Sequence, residues 1–500
     1  MADGILFVFI PLLVLGAVIG AVVYGVMEVT RRRRDFGEVD PGIGTVRRLY
    51  FYTVAFVALM MAANGLVVLA ASILEGLFGG SALSLSGSGS ALALGMSLII
   101  VGVPLWALHW RMIGRHVERL PVEKRSVVRK VYIYVVLAVA AGVAIGAATS
   151  VLGWILGSGG FGGYAWAAIV VWSGVWVFHW QIEAKEGQST PETRTVRRLY
   201  LYLVTAGMLV ALSWGVGEAI HIVLREAYGA LMSSSLLARS GLWGKPMGDA
   251  LSLALVAGTV WAAHWLYFAR RDYGSALRQL YTYGLAIFGS ISTALTALGI
   301  TLYGILVWTI GVPEHEAAEA HFRFLPGSLT SLIVAAGILI YHWSEARRES
   351  EMPSMGTHGA RTFYPYALTA VGLVVVAVGI VVLVSTAVGL FVESDRPELV
   401  GKDLWRNAIA LSITLGVLGA PLVGYHWPRI QSKVNEGGIE EQTSLSRRMF
   451  IFGVLGLGVL VLVGSASHLI FVFLRELLGG DLSGVLSKVK VSLGIIAAAA

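Results

Sequence analysis

The 500-residue chain contains no cysteine. Disulfides, iron–sulfur clusters, thiolate nucleophiles and haem attached through cysteine are therefore excluded. Charge is also scarce. Asp, Glu, Lys and Arg make up 13% of the residues, against about 25% in an ordinary soluble domain. The segments between apolar runs are too short to hold a soluble catalytic domain. Phosphate-binding loops, nucleophile elbows, His-Glu-x-x-His helices and dinucleotide fingerprints are all missing. No Asp or Lys sits at mid-depth in an apolar run, which weighs against an ion-coupled transporter or a proton pump. The expectation is a non-enzyme with no catalytic residue, no metal and no cofactor.

What the chain has in quantity is apolar sequence. Hydrophobic residues are 56% of the total and the mean hydropathy is +0.76. Runs near twenty apolar residues recur, the length that crosses a bilayer as a helix. Barrel strands alternate over about ten residues, and these runs do not alternate. The fold class is therefore all-α polytopic membrane protein.

The runs belong to a repeat. An edge pair of aromatic residues appears as Tyr50/Tyr52, Tyr132/Tyr134, Tyr200/Tyr202, Tyr281/Tyr283 and Tyr364/Tyr366, and then as Phe450/Phe452. A closing pair appears as His109-Trp110, His179-Trp180, His264-Trp265, His342-Trp343 and His426-Trp427. A near-constant period with matching ends marks tandem units. The spacing predicts six helical hairpins, over 44–120, 121–190, 191–273, 274–355, 356–440 and 441–500. The sixth is incomplete, with a stub near Val491–Ala500 for its second helix, and the natural chain is expected to continue. Residues 1–43 supply a further apolar run, Ile5 to Val26, followed by Arg31 to Arg34. Its basic residues follow the run instead of preceding it, so it reads as an uncleaved anchor rather than a signal peptide. About 13 transmembrane helices result.

Charge orients the chain. The segments holding the repeat edges carry 27 of the 37 Lys and Arg residues. By the positive-inside bias those edges are cytoplasmic and the N-terminus is outside. All six hairpins then start and finish on one side. They are parallel repeats, unlike the inverted repeats of many transporters. The expected location is a bacterial cytoplasmic (inner) membrane. The net charge of +7 is read as an orientation signal. The expected partners are the lipid bilayer and other membrane subunits, not nucleic acid.

Two features invite a chemical reading. His109, His179, His264, His342 and His426 would serve as ligands for a cofactor or pigment. The preferred reading makes them interfacial joints, the imidazole capping the last helical carbonyls or bonding the neighbouring arginine or tyrosine edge and the indole sitting at headgroup depth. In three copies the ending extends to Trp-x-x-His-Trp, at Trp106, Trp176 and Trp261. Residues three apart share a helix face, so indole and imidazole can stack or pack on one neighbour. Pro104 and Pro421 each precede the histidine of their copy by five residues and are expected to kink their helices. The basic edges Arg47, Arg48 and Tyr50, Arg197, Arg198 and Tyr200, and Arg447 and Arg448 would bind anionic lipid or a partner's acidic surface, or simply set topology.

Weaker signals complete the survey. Glu218 and His221 have a carboxylate–histidine spacing, but lie at the far interface and read as a wet pair. Asn64, Ser292, Thr293 and Thr296 are expected to hydrogen-bond across helices. Gly142, Gly146, Gly215, Gly217, Gly299, Gly372, Gly379, Gly453, Gly456, Gly458 and Gly464 lie in spans and are read as close-packing positions.

Arg47-Arg48-Leu49-Tyr50-Phe51-Tyr52, Arg197-Arg198-Leu199-Tyr200-Leu201-Tyr202 and the five His-Trp endings together resemble an uncharacterised bacterial membrane-domain family, one of the domains of unknown function. The resemblance covers nearly all of 44–500. The fifth copy departs from it in lacking paired arginines and the sixth in replacing both tyrosines by phenylalanine. The resemblance implies a helical membrane protein with tandem units and implies no activity.

Overall fold

The computed structural model describes residues 43–79, 85–187, 190–232, 242–273, 275–350, 359–393, 404–437, 442–479 and 485–499. Among the described residues every regular element is helical. In chain order these are α1 (Ile43–Phe78), α2 (Leu85–Arg119), a 3-10 turn (Pro121–Arg125), α3 (Val127–Ile155), α4 (Gly163–Glu186), α5 (Pro191–Met232) and α6 (Lys245–Ala269). There follow α7 (Ala276–Thr309), α8 (Leu325–Ser350), α9 (Gly359–Glu393), α10 (Leu404–Glu436), α11 (Leu445–Gly479) and α12 (Val485–Ala499). A bilayer core offers no water to backbone groups, so helices that satisfy their own hydrogen bonds are what apolar runs of this length become.

Among the described residues eleven helices, α1 to α11, are long and apolar enough to cross a membrane. The protein is a multi-pass helical membrane protein. The expected anchor, Ile5 to Val26, lies outside the described residues. α12 has 15 residues, below the roughly 20 of a span, but it begins before the expected stub at Val491. α2 likewise starts at Leu85, inside the Gly- and Ser-rich stretch 81–90. Continuing the helix bonds backbone groups that a loop would expose, and this outweighs the poor propensity of Ser and Gly. Pro104 and Pro421 sit inside the continuous helices α2 and α10.

Helix ends follow local chemistry. Gly157 and Gly187 adopt positive φ, 77° and 65°, directly after α3 and α4. That conformation costs glycine little and other residues more.

The chain divides into two compact units, Met1–Gly215 with Trp243–Arg270, and Val216–Leu242 with Arg271–Ala500. In the first, α1 packs on α2, α4 and α3, and α3 packs on α4 and α6. Gly65 of α1 faces Gly95 and Leu98 of α2, while Ala62 and Ala58 face Gly102. Position numbers rise on one helix as they fall on the other, so the pair is antiparallel. At the end away from the tyrosines, the Gly163 amide that opens α4 donates to Glu75 Oε1 of α1 at 2.6 Å. In the second unit, α9 packs on α10, α11 and α12, and α7 packs on α8 and α10. Gly372 meets Gly419 and Leu422, and Gly379 meets Leu415 and Ser412, again an antiparallel pair.

The glycines divide into two groups. A Cβ on Gly215 would lie 2.6 Å from the Ala254 amide nitrogen, so Gly215, like Gly372, is a crossing point. Gly299 and Gly217 touch side chains only, at 3.1 and 3.7 Å. Gly142, Gly146, Gly453, Gly456, Gly458 and Gly464 meet nothing within 4 Å. For those six the close-packing expectation is not met.

The deep polar side chains also differ from expectation. The Asn64 amide donates to Met60 O of its own helix at 2.8 Å, and Thr296 donates to Ser292 O at 2.9 Å. A backbone carbonyl four residues back is always within reach on a helix. The described bonds of these two therefore stay within one helix and do not tie two together.

Candidate functional site: the tyrosine–histidine edge

Four of the histidines make one local contact. Nδ1 of His109, His179, His264 and His342 lies 2.8, 2.9, 2.9 and 2.9 Å from the carbonyl oxygen four residues earlier, on Leu105, Val175, Val260 and Ile338. A carbonyl only accepts, so Nδ1 carries the proton, and in the neutral ring Nε2 is left as an acceptor. That acceptor faces the first tyrosine of the same copy. The Tyr281 hydroxyl donates to His342 Nε2 at 3.1 Å, and Tyr132 and Tyr200 face His179 and His264 at a longer 3.4 Å. In the first and fifth copies the rings meet at centroid distances of 6.0 Å (Tyr50–His109) and 6.3 Å (Tyr364–His426).

In the first, second, fourth and fifth copies the second tyrosine reaches onward. Tyr52 packs on Tyr132 at 5.1 Å, Tyr134 on Tyr200 at 5.4 Å, Tyr283 on Tyr364 at 5.6 Å and Tyr366 on Phe450 at 5.4 Å. The closing tryptophan does the same. Trp110 meets Tyr132 at 6.0 Å, Trp343 meets Tyr364 at 6.2 Å and Trp427 meets Phe450 at 5.6 Å. Within each compact unit the histidine therefore fastens a copy to itself, and the second tyrosine and the tryptophan fasten it to the next. Able to share a neighbour, indole and imidazole part company in the second copy. Trp176 donates its Nε1–H to Tyr200 of the third copy at 3.0 Å, while His179 faces Tyr132 of its own.

Charge reinforces the edge, through residues the repeat motif did not single out. Arg129 bonds both oxygens of Glu186 through Nε at 3.0 Å and the Tyr52 hydroxyl through Nη1 at 3.0 Å. Lys130 is paired with Glu183, and the Tyr134 hydroxyl donates to the other Glu183 oxygen at 2.7 Å. Two cations and two carboxylates are thus buried together with two phenols. In the fourth copy Arg278, fully buried, pairs with Glu349 at 3.1 Å. The signal was present in the sequence: an arginine stands three residues before the first aromatic of every copy, at Arg47, Arg129, Arg197, Arg278, Arg361 and Arg447. In the second and fourth copies a glutamate stands seven residues after the histidine.

The remaining candidates are spread out. Arg48 is bonded to Glu123 at 2.9 and 3.0 Å, with Arg47 4.0 Å from the same carboxylate. Arg197 and Arg198 are engaged as well. Tyr200 is buried in the core with Tyr52, Tyr132 and Tyr134, whereas Tyr50 and Arg448 are exposed. Glu218 and His221 belong to no cluster of three metal-ligating side chains among the described residues. Two stretches of π-helix fall on the motif itself. Ala263–Ala269 holds His264-Trp265, and Leu280–Phe288 holds Tyr281 and Tyr283.

The family of unknown function described as Domain of unknown function (DUF5671) matches three stretches of the chain, residues 48–162, 198–337 and 362–500. The chain belongs to this family. Each DUF5671 match opens on an edge, at Arg48, Arg198 and Thr362, hence on the first, third and fifth copies. Each runs past the helix pair it opens, so the DUF5671 unit is longer than one hairpin. No curated protein and no solved structure matches the chain.

Proposed function

We propose that the protein is a non-enzymatic membrane scaffold or an integral subunit of a membrane complex, with the His-Trp edges acting as joints. One observation carries this reading. In the second, third and fourth copies both imidazole nitrogens have a partner, Nδ1 a carbonyl of its own helix and Nε2 a tyrosine hydroxyl. A cofactor ligand needs one nitrogen lone pair, and here the single lone pair of the neutral ring faces a donor. The buried arginine–glutamate and lysine–glutamate pairs lie at the same edge, and removing one member of such a pair is costly. These features suit fixing helices in place.

The proposed setting is a bacterial cytoplasmic membrane, with the edges cytoplasmic and the N-terminus outside. The concentration of 27 of the 37 Lys and Arg residues in the edge segments supports it. The cysteine-free sequence makes this directly testable. A single cysteine at Lys124 is expected to resist a membrane-impermeant maleimide applied to intact cells, and one at Trp243 to react. The reverse pattern overturns the orientation. For the function itself, protein purified in mild detergent from native membranes is expected to bring other membrane subunits with it and to show no visible absorption band. A stable, partner-free monomer, or a bound chromophore lost on substituting His342, overturns the scaffold reading.

A further inference from the structure

Seven cations lie between the first and second copies, more than at any other edge: Arg111, Arg115, Arg119, Lys124, Arg125, Arg129 and Lys130. The last two are buried against Glu186 and Glu183. The other five are exposed, and none of their side chains bonds or pairs with another described residue.

Their placement is built by the helix and by one ion pair. On the last turns of α2, Ile113 and Val117 are buried in the core. Arg111, Arg115 and Arg119 follow at intervals of four on the opposite face, with Glu118 as the one acidic neighbour. At about 1.5 Å per residue Arg111 lies at the level of Trp110, Arg115 about 7.5 Å and Arg119 about 14 Å beyond it, so with a Debye length of about 8–10 Å their pull on headgroups falls off along the helix. The chain then turns back. Glu123 in the 3-10 turn is buried and held by Arg48 at 2.9 Å, and Arg48 precedes Tyr50 by two residues, about 3 Å along α1. Tyr50 in turn packs on His109. The ion pair therefore draws Lys124 and Arg125 back to the level of the aromatic belt, where headgroups lie. Between the two groups of cations, Leu120 and Val122 are 46% and 61% exposed, apolar side chains placed among charges as in an interfacial segment.

We propose that the end of α2 and the 3-10 turn, carrying Arg111, Arg115, Arg119, Lys124 and Arg125, form a docking surface for the anionic phospholipid headgroups of the leaflet at the His-Trp end. Val122, drawn back beside Lys124 and Arg125, enters the acyl boundary and the cations gather phosphate above it. Anionic lipid is one reading of the Arg-Arg edges, beside topology alone; here Arg48 is instead spent on Glu123 and thereby positions the surface.

The test uses the whole protein in phosphatidylcholine vesicles containing a small amount of phosphatidylglycerol with a photoactivatable headgroup. A photoactivatable phosphatidylcholine serves as the neutral arm, and adducts are mapped by mass spectrometry. The expected result is that peptides from 111–125 take up the anionic probe in preference to the neutral one. High salt abolishes the preference. The double variant K124Q/R125Q lowers it, by about fivefold per cation removed at low salt. The triple variant R111Q/R115Q/R119Q lowers it by about tenfold or more, less than fivefold per cation because Arg115 and Arg119 lie farther from the headgroups. A control double variant at exposed lysines elsewhere, K185Q/K433Q, leaves it unchanged. Equal labelling by both probes, labelling indifferent to salt in the unaltered protein, or an equal fall in the control variant overturns the proposal. Equal labelling together with a co-purified acidic protein that the double variant loses assigns the surface to that protein instead.

Discussion

The edge of the second copy and the edge of the sixth start from related sequences and end in opposite states. In the second, Arg129, Lys130, Tyr132 and Tyr134 are buried, and Glu183, Glu186 and His179 answer them across α3 and α4. In the sixth, Phe450 and Phe452 carry no hydroxyl, and Met449, Phe452, Leu455, Leu457 and Leu460 of α11 are exposed. The contacts around Phe450 are the aromatic ones, with Tyr366 and Trp427 of the copy before. The contacts to the previous copy thus survive the loss of the hydroxyls. The bonds within a copy depend on them. Rings suffice to join neighbouring copies, with polar links such as Arg129–Tyr52 and Trp176–Tyr200 added where hydroxyls are present, and the tyrosine–histidine bonds lock each helix pair.

The largest effect is expected where charge is buried. Replacing Glu183 by Ala leaves the fully buried Lys130 short of its partner and should lower stability by about 3–5 kcal/mol, read by thermal unfolding in detergent. Converting Lys130 and Glu183 together to Met should recover most of that loss. A Glu183→Ala protein that melts with the unaltered one would erase the contrast with the sixth copy.

A smaller effect should separate the glycines. Gly215→Ala drives a methyl into the Ala254 backbone and should cost about 1–3 kcal/mol. Gly458→Ala, in open space, should change stability by less than about 0.5 kcal/mol. Equal losses at both sites would mean that α11 is packed as tightly as α5.

The smallest effect concerns single hydroxyls. Tyr281→Phe imitates the sixth copy, removes the bond to His342 and should cost about 0.5–1.5 kcal/mol in the same melt. Phe450→Tyr should change stability by less than about 0.5 kcal/mol, since Phe450 already packs ring on ring against Tyr366 and Trp427.

Much of this could be read from the sequence, because the repeat writes its own ends. The membrane class, the tandem units and the special standing of Tyr132, Tyr200, Tyr281 and the His-Trp pairs all follow from period and composition. The pairing did not follow. Tyr132 and His179 are 47 positions apart, and only packing decides whether an imidazole turns to its own copy or to the next. The buried ion pairs were missed for a related reason. Arg129 and Glu186 look like ordinary interfacial charges until the fold removes both from water. Glycine misled because composition marks where helices are able to approach, and Gly372 does so while Gly458 does not. The π-turns at His264 and Tyr281 have no periodic signature, since one inserted residue shifts a helix face without altering its apolar character.

The central claim is that the histidines are joints bonded to tyrosine, and the double-mutant cycle of Tyr281→Phe with His342→Phe tests it most directly. Unfolding free energies of the two single variants and the double variant give the coupling. The account predicts a favourable coupling of about 0.5–1.5 kcal/mol, the worth of one buried hydrogen bond. Additivity within about 0.3 kcal/mol, the behaviour of independent sites, would contradict it.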